Sequence, residues 1–341
     1  MTIELALTQA LPKPWGVFDL RPWNRTSNAG VAIGEIWYDR PGAPSLRPSL
    51  LLKLLFTSEP LSIQVHPNDA YARSMGLPNG KTEAWYVLSA APGARVALGL
   101  SGRLTRQQFR RAVDDGSIAD LVMWQTVFPD DVIFVPAGTI HAIGAGLVIA
   151  EIQQRSEATF RLFDHGRQRE LHIERAMAVA NAGPAPFRVV RPHRFTDQRV
   201  LLVSGAHFVL ERIDLSANST WCLEAKRETW LLVLSGNARA GSLEVAATDA
   251  VFAQSDRIAI RAGGTGMVGL VAYTGVGPVP HLLQCVAQSS SADAAQATNG
   301  CPDGAFLHSS KRGLRSRAAG AGRHYESNSP NTFPRRSLGS H

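Results

Sequence analysis

Between Leu46 and Tyr273 the chain runs as short apolar or alternating stretches broken by Gly, Pro, Asn and Asp. That punctuation narrows the fold more than any other feature, because it is the pattern of many strands joined by turns. Leu61 to Val65, Ala84 to Leu88, Val132 to Val135, Leu147 to Gln153, Phe208 to Ile213 and Thr229 to Leu234 all have this character, and they predict a mainly β sandwich or barrel. Two stretches read as helical. Thr105 to Trp124 opens on a capping Thr and sets Phe109, Ala112 and Val113 at helical spacing, and a second runs from Glu170 to Ala180. Neither alternates regularly with strands, which argues against a doubly wound parallel sheet.

The chain also repeats itself. Thr82-Glu83-Ala84-Trp85-Tyr86-Val87-Leu88-Ser89 and Glu228-Thr229-Trp230-Leu231-Leu232-Val233-Leu234-Ser235 both place a Trp before an apolar run ending in Leu-Ser. Each is followed by an Asp leading into another strand, Asp131 to Val135 and Asp249 to Ala253. The reading is two related β-barrels, the first carrying the helical insertion 105–124 and the second closing with a short loop. Residues 1–185 then form one domain, 186–286 a second, and 287–341 a tail. The second copy has only His193, His207 and His281 around it, none inside the repeated strands, so the chemistry is expected in the first.

Composition bounds the rest. A chain of 341 residues with 45% hydrophobic and 18% charged residues has enough apolar material for a sizeable core. No apolar run approaches the roughly 20 residues of a membrane helix. The N-terminus lacks a basic segment followed by an apolar one, so a cytoplasmic location is expected. Cys222, Cys285 and Cys301 suit neither a disulfide framework nor a cysteine zinc site and are read as reduced thiols. Of the formal charge of +7, residues 287–341 hold seven basic against three acidic residues, +4, which leaves +3 for the rest. The tail is rich in Ser, Ala, Gly and Asn without apolar periodicity, so it is expected to be disordered. A basic excess confined to such a tail argues weakly for nucleic acid. Oligomeric state is left open by the sequence.

Several residues could carry chemistry. Gln64 and His66 are two apart on a predicted strand, so they share a face. Taken alone, the pair also fits a solvated strand end. Glu83 precedes the next apolar strand, and His141 follows the turn Pro136-Ala137-Gly138-Thr139. Two imidazoles, a carboxylate and an amide oxygen make a donor set zinc accepts, but their spacing needs a barrel to bring them together. Downstream, Glu151 and Gln153 share a strand face, and Arg155, Arg161, Arg167 and Arg169 cluster nearby. Guanidinium forks suit phosphate or enediolate oxygens; equally, these arginines could be surface charges paired with Glu157 and Asp164. There is no Gly-x-Ser-x-Gly elbow, and Gly144-Ala145-Gly146 lacks the strand-turn-helix setting of a dinucleotide loop.

The residues also resemble a known family. Lys13-Pro14-Trp15-Gly16, Gly34-Glu35-Ile36-Trp37, Leu61 to Pro67, Gly80-Lys81-Thr82-Glu83-Ala84-Trp85-Tyr86, Val135 to Ala142 and Glu151 to Arg167 follow in order the pattern of type I phosphomannose isomerases. These are zinc enzymes of the cupin superfamily, with jelly-roll barrels. The resemblance runs from about Pro12 to about Tyr273 and is to the compact bacterial form. It implies interconversion of mannose 6-phosphate and fructose 6-phosphate through an enediol. It implies one zinc per chain on Gln64, His66, Glu83 and His141, Arg161 and Lys81 in the active site, and Glu151 as a proton-transfer carboxylate. Where some members carry a lysine, this chain has Arg167, which is expected to contact the phosphate together with Lys81. The competing expectation is a phosphosugar-binding cupin with another substrate or no turnover.

Overall fold

The computed structural model describes residues 3–23, 30–42, 47–185 and 192–286. They form three sheets in which every strand pairing is antiparallel. The six-stranded sheet takes β2 (Leu7–Val17), β3 (Ile33–Asp39), β4 (Leu50–Thr57), β6 (Glu83–Ala90), β9 (Val132–Val135) and β11 (Leu147–Gln154), in the order β2-β3-β4-β11-β6-β9. The five-stranded sheet takes β5 (Ile63–Val65), β7 (Arg95–Leu100), β8 (Val122–Thr126), β10 (His141–Ile143) and β12 (Phe160–Phe163), in the order β12-β5-β10-β7-β8. The ten-stranded sheet joins β1 (Ile3–Leu5) to β13 (His193–Thr196), β14 (Arg199–Ser204), β15 (Phe208–Leu215), β16 (Thr220–Ala225), β17 (Thr229–Ala240), β18 (Leu243–Ala246), β19 (Ala250–Ala253), β20 (Asp256–Thr274) and β21 (Leu283–Cys285).

The six-stranded sheet lies between the other two, and the sequence of β4 shows why. All eight of its residues are buried, as a strand covered on both faces requires. Leu52, Leu54 and Phe56 point to a core shared with Leu210, Trp230 and Phe252 of the ten-stranded sheet. Leu55 points the other way, to a core that Trp85, Val87 and Ile149 share with Val96 and Leu98 of the five-stranded sheet. Each such side chain fully buried stabilises the fold by about 1.5–3 kcal/mol. The ten-stranded sheet also curls around a core of its own, with Val209, Ile213, Leu231, Val251 and Val271.

Helices cover the outer face of the five-stranded sheet, where Phe109, Ala112, Val113 and Ala176 pack on Ile63, Val65 and Phe160. They are α1 (Asp69–Ser74), α2 (Arg106–Asp114), α3 (Ile118–Leu121) and α4 (Ile173–Val179). The expected cap on α2 is present as a full capping box between Thr105 and Gln108. The helix does not continue to Trp124, however. Gly116 adopts φ +79° and breaks it, α3 follows, and Val122 to Thr126 turn into β8. The second expected helix, Glu170 to Ala180, is confined to α4.

The repeat is present with a shift. Trp85 pairs with Ile133 across β6 and β9, and Leu231 pairs with Val251 across β17 and β19. Counted from Asp131 and Asp249, Trp85 therefore corresponds to Leu231, not to Trp230. The extra residue before Leu-Ser in the second copy puts the two tryptophans on opposite faces, and they sit in different cores. Cys285 is free and exposed, and Cys301 lies outside the described residues. The 287–341 tail and the 185/186 boundary fall outside the described residues. Among the described residues no helix is long and apolar enough to cross a membrane.

Candidate metal centre and its cavity

Sheet register builds the site. Across the five-stranded sheet Arg161 of β12, Gln64 of β5 and His141 of β10 are direct neighbours, so their side chains leave the same face. Across the six-stranded sheet Trp37, Lys53, Glu151 and Trp85 form a similar row, with Glu83 beside Gln153 one step along. The two rows face each other over a cavity of about 830 Å³. His66, just past β5, completes the approach.

His66, Glu83 and His141 converge there, all essentially buried, with ligand atoms within 4.8 Å of one another. His66 Nε2 lies 3.4 Å from Glu83 Oε2, and His141 Nε2 lies 3.4 Å from Glu83 Oε1. The far ring nitrogens are fixed: His66 Nδ1 is 2.9 Å from the Ala158 carbonyl and His141 Nδ1 is 2.9 Å from the Thr139 carbonyl. Each Nδ1–H donates to its carbonyl, which leaves the Nε2 lone pair aimed at the shared point, the arrangement that second-shell contacts impose on metal-ligating histidines. Burial, helped by the Lys81 charge, pushes His66 down to about 3. Burial also lowers His141, so both rings are neutral as metal binding demands. The site attracts positive charge: the Lys81 ammonium lies 2.9 Å from both Glu83 Oε2 and His66 Nε2. Although burial opposes it, that charge holds the Glu83 carboxyl well below the usual carboxylate range. Two neutral imidazoles and a carboxylate therefore fit a zinc ion.

Gln64 stands beside the triad, its Nε2 3.2 Å from His141 Nε2 and its Oε1 accepting from Ser62 Oγ at 3.0 Å. The assignment of amide oxygen and nitrogen follows from these bonds, so either end of the amide can face the centre. Glu151 is buried on the neighbouring strand with Trp85 between it and Glu83: Trp85 Nε1 is 3.1 Å from Glu83 Oε1 and 3.4 Å from Glu151 Oε1. Burial and the Glu83 charge push Glu151 up to about 7, while Lys53, 3.5 Å away, pulls the other way.

Arg161 lines the cavity, half-buried, with Nη1 3.5 Å from the Glu170 carbonyl and from His172 Nδ1. Arg167 does not line it. Its guanidinium is held by Asp164 at 3.2 Å, Glu59 at 3.2 Å and the Pro60 carbonyl at 2.7 Å, so it is engaged away from the cavity lining. Arg169 also grips Asp164, with one bond of 2.7 Å, and stacks 4.9 Å over Trp15. The sequence reasoning missed Lys53, Glu35, Lys13, His172 and Arg175, all of which line the cavity. Lys53 did leave a signal, as a lone charge inside the apolar run Leu50 to Phe56.

No family model matches the chain. A mannose-6-phosphate isomerase of Bacillus subtilis, ManA, is 33% identical over 204 residues, 56% of this chain and 64% of the relative. A probable mannose-6-phosphate isomerase of the same organism, GmuF, is 37% identical over 162 residues, 44% and 51% of the two chains. One from Streptococcus mutans is 40% identical over 148 residues, 40% and 46%. The matches thus span about half to two-thirds of these relatives. Among solved structures, a Bacillus subtilis mannose 6-phosphate isomerase superposes with a TM-score of 0.70 at 22% identity, covering 80% of this chain and all of that one. A zinc-bound mannose 6-phosphate isomerase superposes at 0.63 with 13% identity, again covering 80% and all of the two chains.

Proposed function

We propose that the chain is a zinc-dependent isomerase that interconverts mannose 6-phosphate and fructose 6-phosphate. The observation that carries the reading is the convergence of His66, Glu83 and His141 beside a cavity lined by Glu83 and by Glu151, a carboxyl raised towards neutral pH. An aldose–ketose interconversion moves one proton between C1 and C2 and places negative charge on the sugar oxygens. Those are the two tasks such a cavity can perform. The names of the curated relatives supply the substrate.

In this reading Gln64, His66, Glu83 and His141 hold one zinc per chain. When bound, zinc supplies positive charge close to the C1 and C2 oxygens. Glu151 takes the proton from C2 of the aldose and returns it to C1, while the O2 hydroxyl proton passes to O1, so an enediol separates aldose from ketose. A base with a pKa near 7 is half-ionised at neutral pH and can both accept and return a proton. Arg161 stabilises the charge that develops on the enediolate oxygens. Lys81 holds the Glu83 carboxylate through its 2.9 Å contact. We assign residues 1–185 as the catalytic domain and 186–286 as a second, degenerate cupin domain, and a cytoplasmic location suits a phosphorylated sugar.

The test is a coupled assay for fructose 6-phosphate formation from mannose 6-phosphate on metal-analysed protein, before and after chelation and zinc return. Activity that leaves with the metal and comes back with zinc is the expected result. Folded, zinc-loaded protein that binds the phosphosugar without converting it would replace this reading with a binding cupin.

A further inference from the structure

The cavity carries more basic than acidic side chains, but most of its cations already have partners. Lys13 pairs with Glu35 at 3.3 Å, Lys53 with Glu151 at 3.5 Å, Lys81 with Glu83 at 2.9 Å, and Arg169 with Asp164. Two guanidiniums lining the cavity make no ion pair within 4 Å among the described residues: Arg161, which feels Asp164 and Glu170 only at longer range, and Arg175. Both act on one imidazole. His172, at the start of α4, meets Arg161 through its Nδ1, and after burial the charges of Arg161 and Arg175 are what push its pKa down. The remaining carboxylate on the lining, Glu157, is exposed and makes no ion pair with either arginine.

The two arginines are not equivalent in position. Arg161 neighbours Gln64 across the sheet and so sits next to the metal ligands. Arg175 is exposed on α4, at the mouth. A sugar 6-phosphate is itself polarised in this way, with C1 and C2 at one end and a dianion at the other. An uncompensated guanidinium at the mouth is the group best placed to meet that dianion, because no resident carboxylate has to be displaced first.

We propose that Arg175 binds the phosphate of the substrate and is the residue by which this cavity distinguishes a phosphorylated sugar from a free one. The assignment rests on the phosphosugar reading above. It moves the phosphate contact from Arg167, whose guanidinium is fully engaged outside the cavity, to a residue eight positions later in the chain.

The test measures two things on zinc-loaded full-length wild type, Arg175→Gln, Arg175→Lys and, as a charge-matched control, Arg106→Gln on the exposed face of α2. The first is KM and kcat for mannose 6-phosphate. The second, independent of turnover, is the affinity for inorganic phosphate by titration calorimetry. Arg175→Gln is expected to raise KM and weaken phosphate binding by about tenfold or more, the scale of a lost charge-assisted contact. Its kcat should change less than about threefold, Arg175→Lys should recover part of the loss, and Arg106→Gln should match wild type. Unchanged KM and unchanged phosphate affinity in Arg175→Gln would overturn the assignment, as would an equal loss in the control. If wild type converts no sugar yet loses phosphate affinity on Arg175→Gln, the anion site stands and the isomerase reading falls.

Discussion

The six-stranded sheet and part of the ten-stranded sheet are the same frame filled in two ways. In the first, β3-β4-β11-β6-β9 carries the row Trp37, Lys53, Glu151, Trp85, Ile133; in the second, β14-β15-β20-β17-β19 carries Leu201, Glu211, Val271, Leu231, Val251. One step along, Glu83 beside Gln153 corresponds to Thr229 beside Tyr273. The first frame thus holds charges that open on a cavity. The second holds one buried carboxylate, Glu211, closed off by Arg199, with one contact of 2.8 Å, and by the Tyr273 hydroxyl. Arg199 is further tied to the Val279 and Pro280 carbonyls. Buried charge that is internally satisfied serves structure. Buried charge that converges on a cavity without closing is available for a ligand.

Breaking each frame should therefore produce opposite signatures. His141→Ala removes a metal ligand from the open frame. Activity should fall at least about a thousandfold, since the lost charge stabilisation is several kcal/mol; metal content should fall with it, and the melting profile should stay cooperative. Glu211→Leu leaves Arg199 buried without its carboxylate and should lower stability by about 3–5 kcal/mol in urea melts, while the folded fraction keeps its metal. The pair Glu211→Leu with Arg199→Met should recover much of that loss. If Glu211→Leu stripped the metal, or His141→Ala unfolded the chain, the division between the two frames would be mistaken.

The sequence made the strand-rich fold legible because turn residues and apolar runs report locally. The repeat was legible as a pattern but not in register. Trp85 and Trp230 invite alignment by identity, and only the pairing of Leu231 with Val251 shows the offset of one residue that sends them to different cores. The metal residues were partly legible. Gln64 and His66 announce a shared strand face, but Glu83 and His141 join them only through sheet order, and their selection from the sequence leaned on the family resemblance. The arginines were the least legible. From Arg155 to Arg169 every guanidinium looks equally available in one dimension. Which are neutralised depends on Asp164 and Glu59 folding beneath them, and Arg175, on a short helix beyond the cluster, gives no signal until α4 turns to the cavity mouth.

Two smaller effects sharpen the comparison by asking what Glu151 adds that Val271 lacks. Glu151→Gln should retain metal and fold but lose turnover by at least about a hundredfold, the lower end for a positioned general base; near wild-type turnover with metal bound would remove Glu151 from that role. The second effect appears in the metal-free protein. His66, lowered from 6.5 to about 3, stays neutral when folded and takes up a proton only on unfolding over most of the range below pH 6.5, and His141 is lowered in the same direction. They contribute stability that is lost as pH falls. Glu151 acts in the other direction: raised to about 7, it holds a proton in the folded chain that the unfolded chain has released above about pH 4.5, so its contribution is present at low pH and lost as pH rises through 7. Between about pH 4.5 and 6.5 the histidines release protons on folding and Glu151 takes one up, so it offsets part of their effect. Glu151→Gln removes the offset. The stability of metal-free protein should then fall more steeply on acidification, by up to about 1.4 kcal/mol per pH unit relative to wild type. Parallel urea-melt slopes for the two proteins from pH 5 to pH 6.5 would show that the Glu151 carboxyl is not the proton acceptor its burial makes it.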